Sequence, residues 1–379
     1  MTPRRAVAIS DFCTRVPPLP PQGRHPPDTA PPVALDPDIQ VTGGYLERLP
    51  LALVRSGLAE AAEIWSFAGS DDDAGGLTLS PYGPGLRRFR ADGHAAPYGS
   101  DSLLDHIAAT GAPEVLCVWG LGVSEPILAA CRDSITIYNS LDVDALRIPP
   151  EISRHIDIFL TGSAAQTAEV RARHPDALVA MQPIGPEFAS AETFFPLDVP
   201  KEFDLIYVAA AQPYKRHDIL FAALEALPRS IRALCVAGYG EDAGHLRGRA
   251  ADMGIDVTFV GPPGVSHAEV NLLMNRARIG LVCGVRDGAP AILTEYMLAG
   301  LPVLANADLM CGLQFIRADT GRSAPAHGFA AAIAGMLAQL STFSPREAVL
   351  QNWTWPQSMA RLRPLIDQAR ASRHRRVPA

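Results

Sequence analysis

At 379 residues the chain is too long for one ordinary core and suits two α/β domains of conventional size. Hydrophobic residues make up 48% and charged residues 19%, which supplies ample apolar surface and excludes global disorder. A net charge of -7 and an isoelectric point near 5.8 exclude a general nucleic-acid binder, because no broad cationic field attracts phosphate.

Arg5 to Phe12 reads as a first buried strand. A dense run of prolines from Pro17 to Pro32 forbids regular structure, so residues 13–41 form a long loop. Such a loop is either a floppy insertion or a functional loop such as a lid. Gly43-Gly44 then opens a helical pattern, with Leu46, Leu49, Leu53 and Leu58 spaced for one buried face. Apolar runs at Ala62 to Phe67, Glu114 to Trp119, Ile135 to Asn139 and Ile156 to Thr161 alternate with helical patterns, which favours a parallel sheet.

Pro183-Ile184-Gly185-Pro186, Phe195-Pro196 and Val199-Pro200 interrupt that alternation and place an interdomain linker. The expected domains are residues 1–198 and 199–355, followed by a terminal helix over 356–379 that returns to the N-terminal domain. The second series begins with a strand at Leu205 to Ala210 and a helix burying Ile219, Leu220, Ala223, Leu224 and Leu227. Strands at Ala233 to Ala237, Val257 to Val260 and Ile279 to Cys283 continue it, separated by helices near Asp242 to Met253 and His267 to Arg276. The fold class is α/β with two Rossmann-like domains.

Cys13, Cys117, Cys131, Cys235, Cys283 and Cys311 are scattered, without the spacings that close a zinc site, and read as reduced core thiols. Nowhere do about 18 apolar residues run together. The expected location is cytoplasmic. The basic run Arg370, Arg373, His374, Arg375 and Arg376 is either a solvated tail or a peripheral contact with the inner face of a membrane.

The segment from Arg286 to Val303 carries the chemistry. It reads as strand, loop, helix, turn, strand, with Pro290 at the first helical position and Gly300 as the left-handed stop. Gly288 and Ala289 present little bulk where free amides and the helix dipole face outward, an outline for a diphosphate. Glu295 lies about 7 Å along that axis, the reach from a diphosphate to its ribose diol, and a carboxylate there accepts two hydroxyl hydrogen bonds.

This segment resembles the Glu-x7-Glu signature of family 4 retaining glycosyltransferases, which have the GT-B fold of two domains facing each other across a cleft. Here it stands as Asp287-x7-Glu295. The likeness continues through Tyr207 to Leu220, Val236-Ala237-Gly238-Tyr239-Gly240, Val257 to Gly261 and Trp355. It implies that Glu295 holds the ribose hydroxyls, Asp287 the donor sugar and Lys215 the diphosphate. By the same likeness Gly288, Ala289, Pro290 and Ala291 line the donor, Val260 lies near the nucleobase, and Gly43 and Gly44 face the phosphates. The implied activity is transfer of a sugar from a nucleoside-diphosphate donor to a glycan, lipid-linked or small-molecule acceptor, with retention. No cofactor beyond the donor is implied and no metal, lysine and a helix dipole standing in for the ion; Asp71-Asp72-Asp73 and Asp142-Val143-Asp144 read as loop acids.

Three positions depart from the family. Asp287 is one methylene shorter than the usual glutamate. Ala210 stands where an arginine precedes the lysine, so Arg216 or His217 is the candidate replacement. The histidine common after the fourth strand is absent; Trp119 ends that strand, and Asn139 or Asp142 is a candidate polar contact on the acceptor side. An epimerase acting on the nucleotide sugar, and a non-catalytic binder of sugar nucleotides or glycans, remain open alternatives.

Overall fold

Continuous apolar runs such as Val115 to Trp119 have no wet face to offer, and parallel sheets covered on both sides are where such strands belong. The computed structural model describes residues 3–13, 30–69, 74–93, 95–140 and 142–376. The prolines from Pro17 to Pro27, Asp71-Asp72-Asp73 and the side chains of His374, Arg375 and Arg376 lie outside what is described. The chain divides into two units, Met1–Ile184 with Trp355–Ala379, and Gly185–Thr354.

In the first unit the strands are β1 (Arg5–Cys13), β2 (Ala61–Ala68), β3 (Gly75–Leu79), β4 (Gly85–Arg90), β5 (Val115–Trp119), β6 (Ile135–Asn139), β7 (Ile158–Leu160) and β8 (Leu178–Ala180). They form one sheet in the order β3-β4-β2-β1-β5-β6-β7-β8, parallel except where β3 meets β4. The core is built around Trp65, Phe67, Leu103, Leu116, Val118 and Ile127. β3, β4 and β8 escaped the sequence reading. In β4 the buried face is Gly85, Arg87 and Phe89, so a charge occupies a position where alternation demands an apolar residue.

That charge belongs to a network closed to water. Arg87, Glu63 and Arg5 are at most 2% exposed. Arg87 Nη2 lies 2.9 Å from Glu63 Oε1, Arg5 Nη1 lies 3.6 Å from Glu63 Oε2, and Trp65 Nε1 donates to Glu63 at 2.9 Å. Arg87 also donates to the carbonyls of Ala30 and Pro31, and so ties down the end of the proline-rich segment.

The terminal helix Trp355–Arg376 packs with the first unit. Arg370 pairs with Glu114 at 2.7 Å, Arg373 pairs with Asp157, Arg363 donates to the Ser56 carbonyl, and Arg55 sits 5.6 Å over the Trp355 ring. Two residues of the basic run are therefore engaged inside the molecule. Among the described residues no helix is long and apolar enough to cross a membrane.

The second unit has strands β9 (Leu205–Val208), β10 (Ala233–Val236), β11 (Val257–Val260), β12 (Ile279–Val282), β13 (Val303–Asn306) and β14 (Gly321–Ala324), all parallel, in the order β11-β10-β9-β12-β13-β14. This is the doubly wound order of nucleotide-binding sheets. The boundary falls earlier than residue 198, because the segment before β9 is clipped to the helix His267–Asn275. Asn271 and Asn275 accept from the amides of Phe195 at 3.1 Å and Leu197 at 2.7 Å, and Asn275 donates to the Phe195 carbonyl at 2.9 Å. Both asparagines are buried, and a proline-rich stretch with few amides of its own depends on them.

Glu63→Gln leaves two buried guanidinium groups without a counter-ion and is expected to destabilise the protein by about 3–5 kcal/mol. Denaturant unfolding monitored by tryptophan fluorescence checks it; an unchanged midpoint means that water reaches the network.

Candidate active site

In an open parallel sheet, ligands bind beyond the carboxyl ends of the strands at the point where the winding reverses. In the second unit that point lies between β9 and β12, which are hydrogen-bonded neighbours. Lys215 ends the short 3-10 turn Pro213–Lys215 after β9, and Asp287 lies in the loop after β12. Although 72 positions apart in sequence, they meet: Lys215 Nζ donates to Asp287 Oδ2, with side-chain exposures of 16% and 13%. The carboxylate of the signature and the lysine of the preceding strand thus form one largely desolvated pair.

The surroundings hold this pair in place. Tyr207 donates its hydroxyl to the Lys215 carbonyl, which fixes the 3-10 turn. The Tyr296 hydroxyl accepts from the Val208 amide at 2.6 Å and donates to the Ile206 carbonyl at 3.3 Å, locking the helix that carries Glu295 onto β9. A side chain at Gly280 is impossible, since its Cβ would lie 2.4 Å from the Tyr296 ring. Gly284 leaves room for the pair itself, 3.3 Å from the Tyr214 carbonyl and 3.8 Å from Asp287 Oδ2 as measured from a Cβ placed there. Burial raises the Tyr207 and Tyr296 phenols well above their ordinary pKa, so both stay protonated and keep their donors. None of these positioning residues carried a signal in the sequence beyond being aromatic or small.

The helix after β12 differs from the expectation. It spans Ile292–Leu298 and not a longer run from Pro290. Ala289 adopts φ +67, the left-handed region, and the Pro290 and Ala291 carbonyls accept the first-turn amides of Leu293, Thr294 and Glu295. Ala289, Pro290 and Ala291 are buried, and Gly288 is held in a bridge to Cys311. Glu295 consequently sits in the first turn, about 4.5 Å from the helix start and half-buried. Lys215 supplies a positive charge in contact with the Asp287 carboxylate. The Gly300 stop stands as expected: φ is +87, and the Gly300 and Leu301 amides donate back to Met297 and Tyr296.

The remaining candidates fall in several places. Arg216, also left-handed at φ 56, is bound by both oxygens of Asp218 at 2.9 Å, which diverts the charge nominated to replace the arginine missing at Ala210. Ala210 itself is buried. Val260, half-buried, accepts from the Ala237 amide at the end of β11.

In the first unit, Gly43 has φ +83. The Gly44 amide donates to Glu47 at 2.8 Å, and buried Arg48 donates to the Gly43 carbonyl at 3.0 Å, so an anion at this loop has to displace Glu47. Trp119 is buried with Tyr45 packed edge-on at 5.9 Å. Asn139 uses its amide within the fold, accepting from Ile184 and donating to Ser140, and Asp142 pairs with Arg147.

Residues 190–349 match the family of glycosyl transferases group 1. Among solved structures, sucrose-phosphate synthase of Thermosynechococcus elongatus is 18% identical at a TM-score of 0.68, over 97% of this chain and all of that one. HepE of Anabaena is 12% identical at 0.63, over 96% of this chain and all of that one. At these identities the likeness is one of fold. No curated protein matches the chain. The group 1 match lies within the second unit, and the chain has the GT-B fold of these solved structures.

His217 opens the helix after Lys215, buried against Tyr207 at 4.9 Å. Burial, and then the Lys215 charge, push its pKa down to about 4 from 6.5. Between those values the unfolded chain binds a proton that the folded chain refuses, so stability is present above pH 6.5 and is lost as pH falls toward 4, by on the order of 3 kcal/mol. His217→Phe is expected to flatten that slope in denaturation midpoints taken between pH 7 and pH 5; an equal slope in both proteins assigns the acid sensitivity elsewhere.

Proposed function

We propose that this glycosyltransferase moves a sugar from a nucleoside diphosphate to a glycan, lipid-linked or small-molecule acceptor, with retention of anomeric configuration and without a metal. The observation that carries the reading is the Lys215–Asp287 pair, seated at the winding reversal of a group 1 domain. An ammonium has three donors, so Lys215 can keep Asp287 and still reach an oxygen of the leaving diphosphate. Negative charge grows on that oxygen as the glycosidic bond breaks, and a preplaced cation in a poorly solvated pocket stabilises it most at that stage. Asp287 then faces the sugar being transferred, where its remaining lone pairs accept hydroxyl hydrogen bonds.

Glu295 completes the site as the carboxylate for the ribose. Its position on a helix locked to β9 through Tyr296 supports that role. HepE of Anabaena was solved with UDP and glucose, a precedent for a nucleotide and a sugar on this fold. Retention rests on the likeness of Asp287-x7-Glu295 to the family 4 signature.

Glu295→Ala is expected to abolish transfer while the melting temperature stays near that of the native protein, and Lys215→Ala to lower kcat by about 100-fold or more. Radiolabelled donor incubated with acceptor pools reads both, and full activity in either variant refutes the assigned site. The product's anomeric coupling in NMR tests retention, and transfer that survives EDTA tests the metal-free route. A new nucleotide sugar formed without acceptor replaces this reading with epimerisation.

A further inference from the structure

Two large aromatic side chains stand exposed beside the Lys215–Asp287 pair. Tyr239 is 61% and Tyr214 is 39% exposed. Isolated exposed aromatics are common and mean little; here the backbone behind them is fixed. The Tyr239 carbonyl accepts from the Ala211 amide at 2.8 Å, and the Asp242 amide donates to the Ala211 carbonyl at 3.0 Å. Gly240, at φ +126, lies so close that a Cβ would come within 2.2 Å of the Ala211 carbonyl oxygen. The loop after β10 is therefore pressed onto the end of β9 in a way only glycine permits.

The two rings are also tied to the site. The Tyr239 phenol lies in the fields of Tyr214, Lys215 and Asp287. The Tyr214 ring packs under the Lys215 ammonium at 4.8 Å. Tyr239 is thus an exposed, uncharged aromatic ring on a fixed loop near Lys215. A ligand that carries both a diphosphate and a flat π-system fits this juxtaposition.

We propose that Tyr239, on a loop fixed by Gly240, is a stacking platform for the nucleobase of the donor and contributes to its selection. The proposal rests on the donor site described above. Stacking is tolerant of which π-face it meets, and its loss costs about 5- to 150-fold in affinity per base. The hydroxyl has no part in it, so the phenyl ring alone should suffice.

Binding of UDP, GDP, ADP and dTDP to the full chain is measured by calorimetry, with inorganic pyrophosphate as a probe that lacks a base. The best-binding nucleotide is expected to lose 5- to 150-fold in Tyr239→Ala and to bind Tyr239→Phe within about twofold of the native protein. Pyrophosphate affinity is expected to be equal in all three proteins and to fall in Lys215→Ala. Unchanged nucleotide binding in Tyr239→Ala, or an equal loss in the phenylalanine variant, overturns the platform while leaving the donor site intact. A native protein that binds none of the nucleotides overturns both.

Discussion

The second unit is organised around one ion pair formed across a strand junction. Lys215 follows β9 and Asp287 follows β12, and the two are brought together because the sheet winds outward in opposite directions from β9. Two opposite charges at 13–16% exposure lose most of their hydration, and they persist there only because each supplies the other's counter-ion. Structural logic would favour replacing such a pair with apolar side chains. Its retention at the mouth of a parallel sheet fits a site whose charges serve a ligand.

Around that pair, buried tyrosines do what a metal cage or disulfide does elsewhere. Tyr207 holds the Lys215 carbonyl and Tyr296 bridges the helix of Glu295 to two backbone groups of β9. Both phenols are kept protonated by burial, so these bonds persist across the physiological range. The first unit uses a different device, a carboxylate shared by Trp65 and two arginines, which joins β1, β2 and β4 and anchors the carbonyls at Ala30 and Pro31. A buried charge cluster is a costly way to fasten strands, and it specifies register sharply because no slipped pairing satisfies all of its members.

The departures from the family pattern acquire physical content from this arrangement. With alanine at 210 and Arg216 held by Asp218, Lys215 is the cation paired with Asp287. Asp287, one methylene shorter than glutamate, still reaches that lysine because Gly284 lets the two loops approach. The loop after Asp287 gains its tight course from Ala289 in the left-handed region, a conformation that costs on the order of 1–2 kcal/mol for a residue with a Cβ and that packing against Cys311 and Gly312 sustains.

The sequence by itself determined the class of fold, the central strands of both sheets and the chemical types at the site. Hydrophobic runs report burial on both faces, and Asp287-x7-Glu295 with Gly300 is a local pattern whose spacing survives folding. Where a charge lies buried, as at Arg87, or where a three-residue strand is only partly buried, as in β8, the pattern falls below what periodicity can resolve. The start of the Glu295 helix was displaced by a left-handed alanine, a choice that no propensity favours. The domain boundary was decided by Asn271 and Asn275, whose side chains reach back 76 and 78 positions to capture the linker. Only the tertiary structure could bring Lys215 to Asp287, because the contact exists through the order of strands in a sheet, and strand order is a property of the assembled chain.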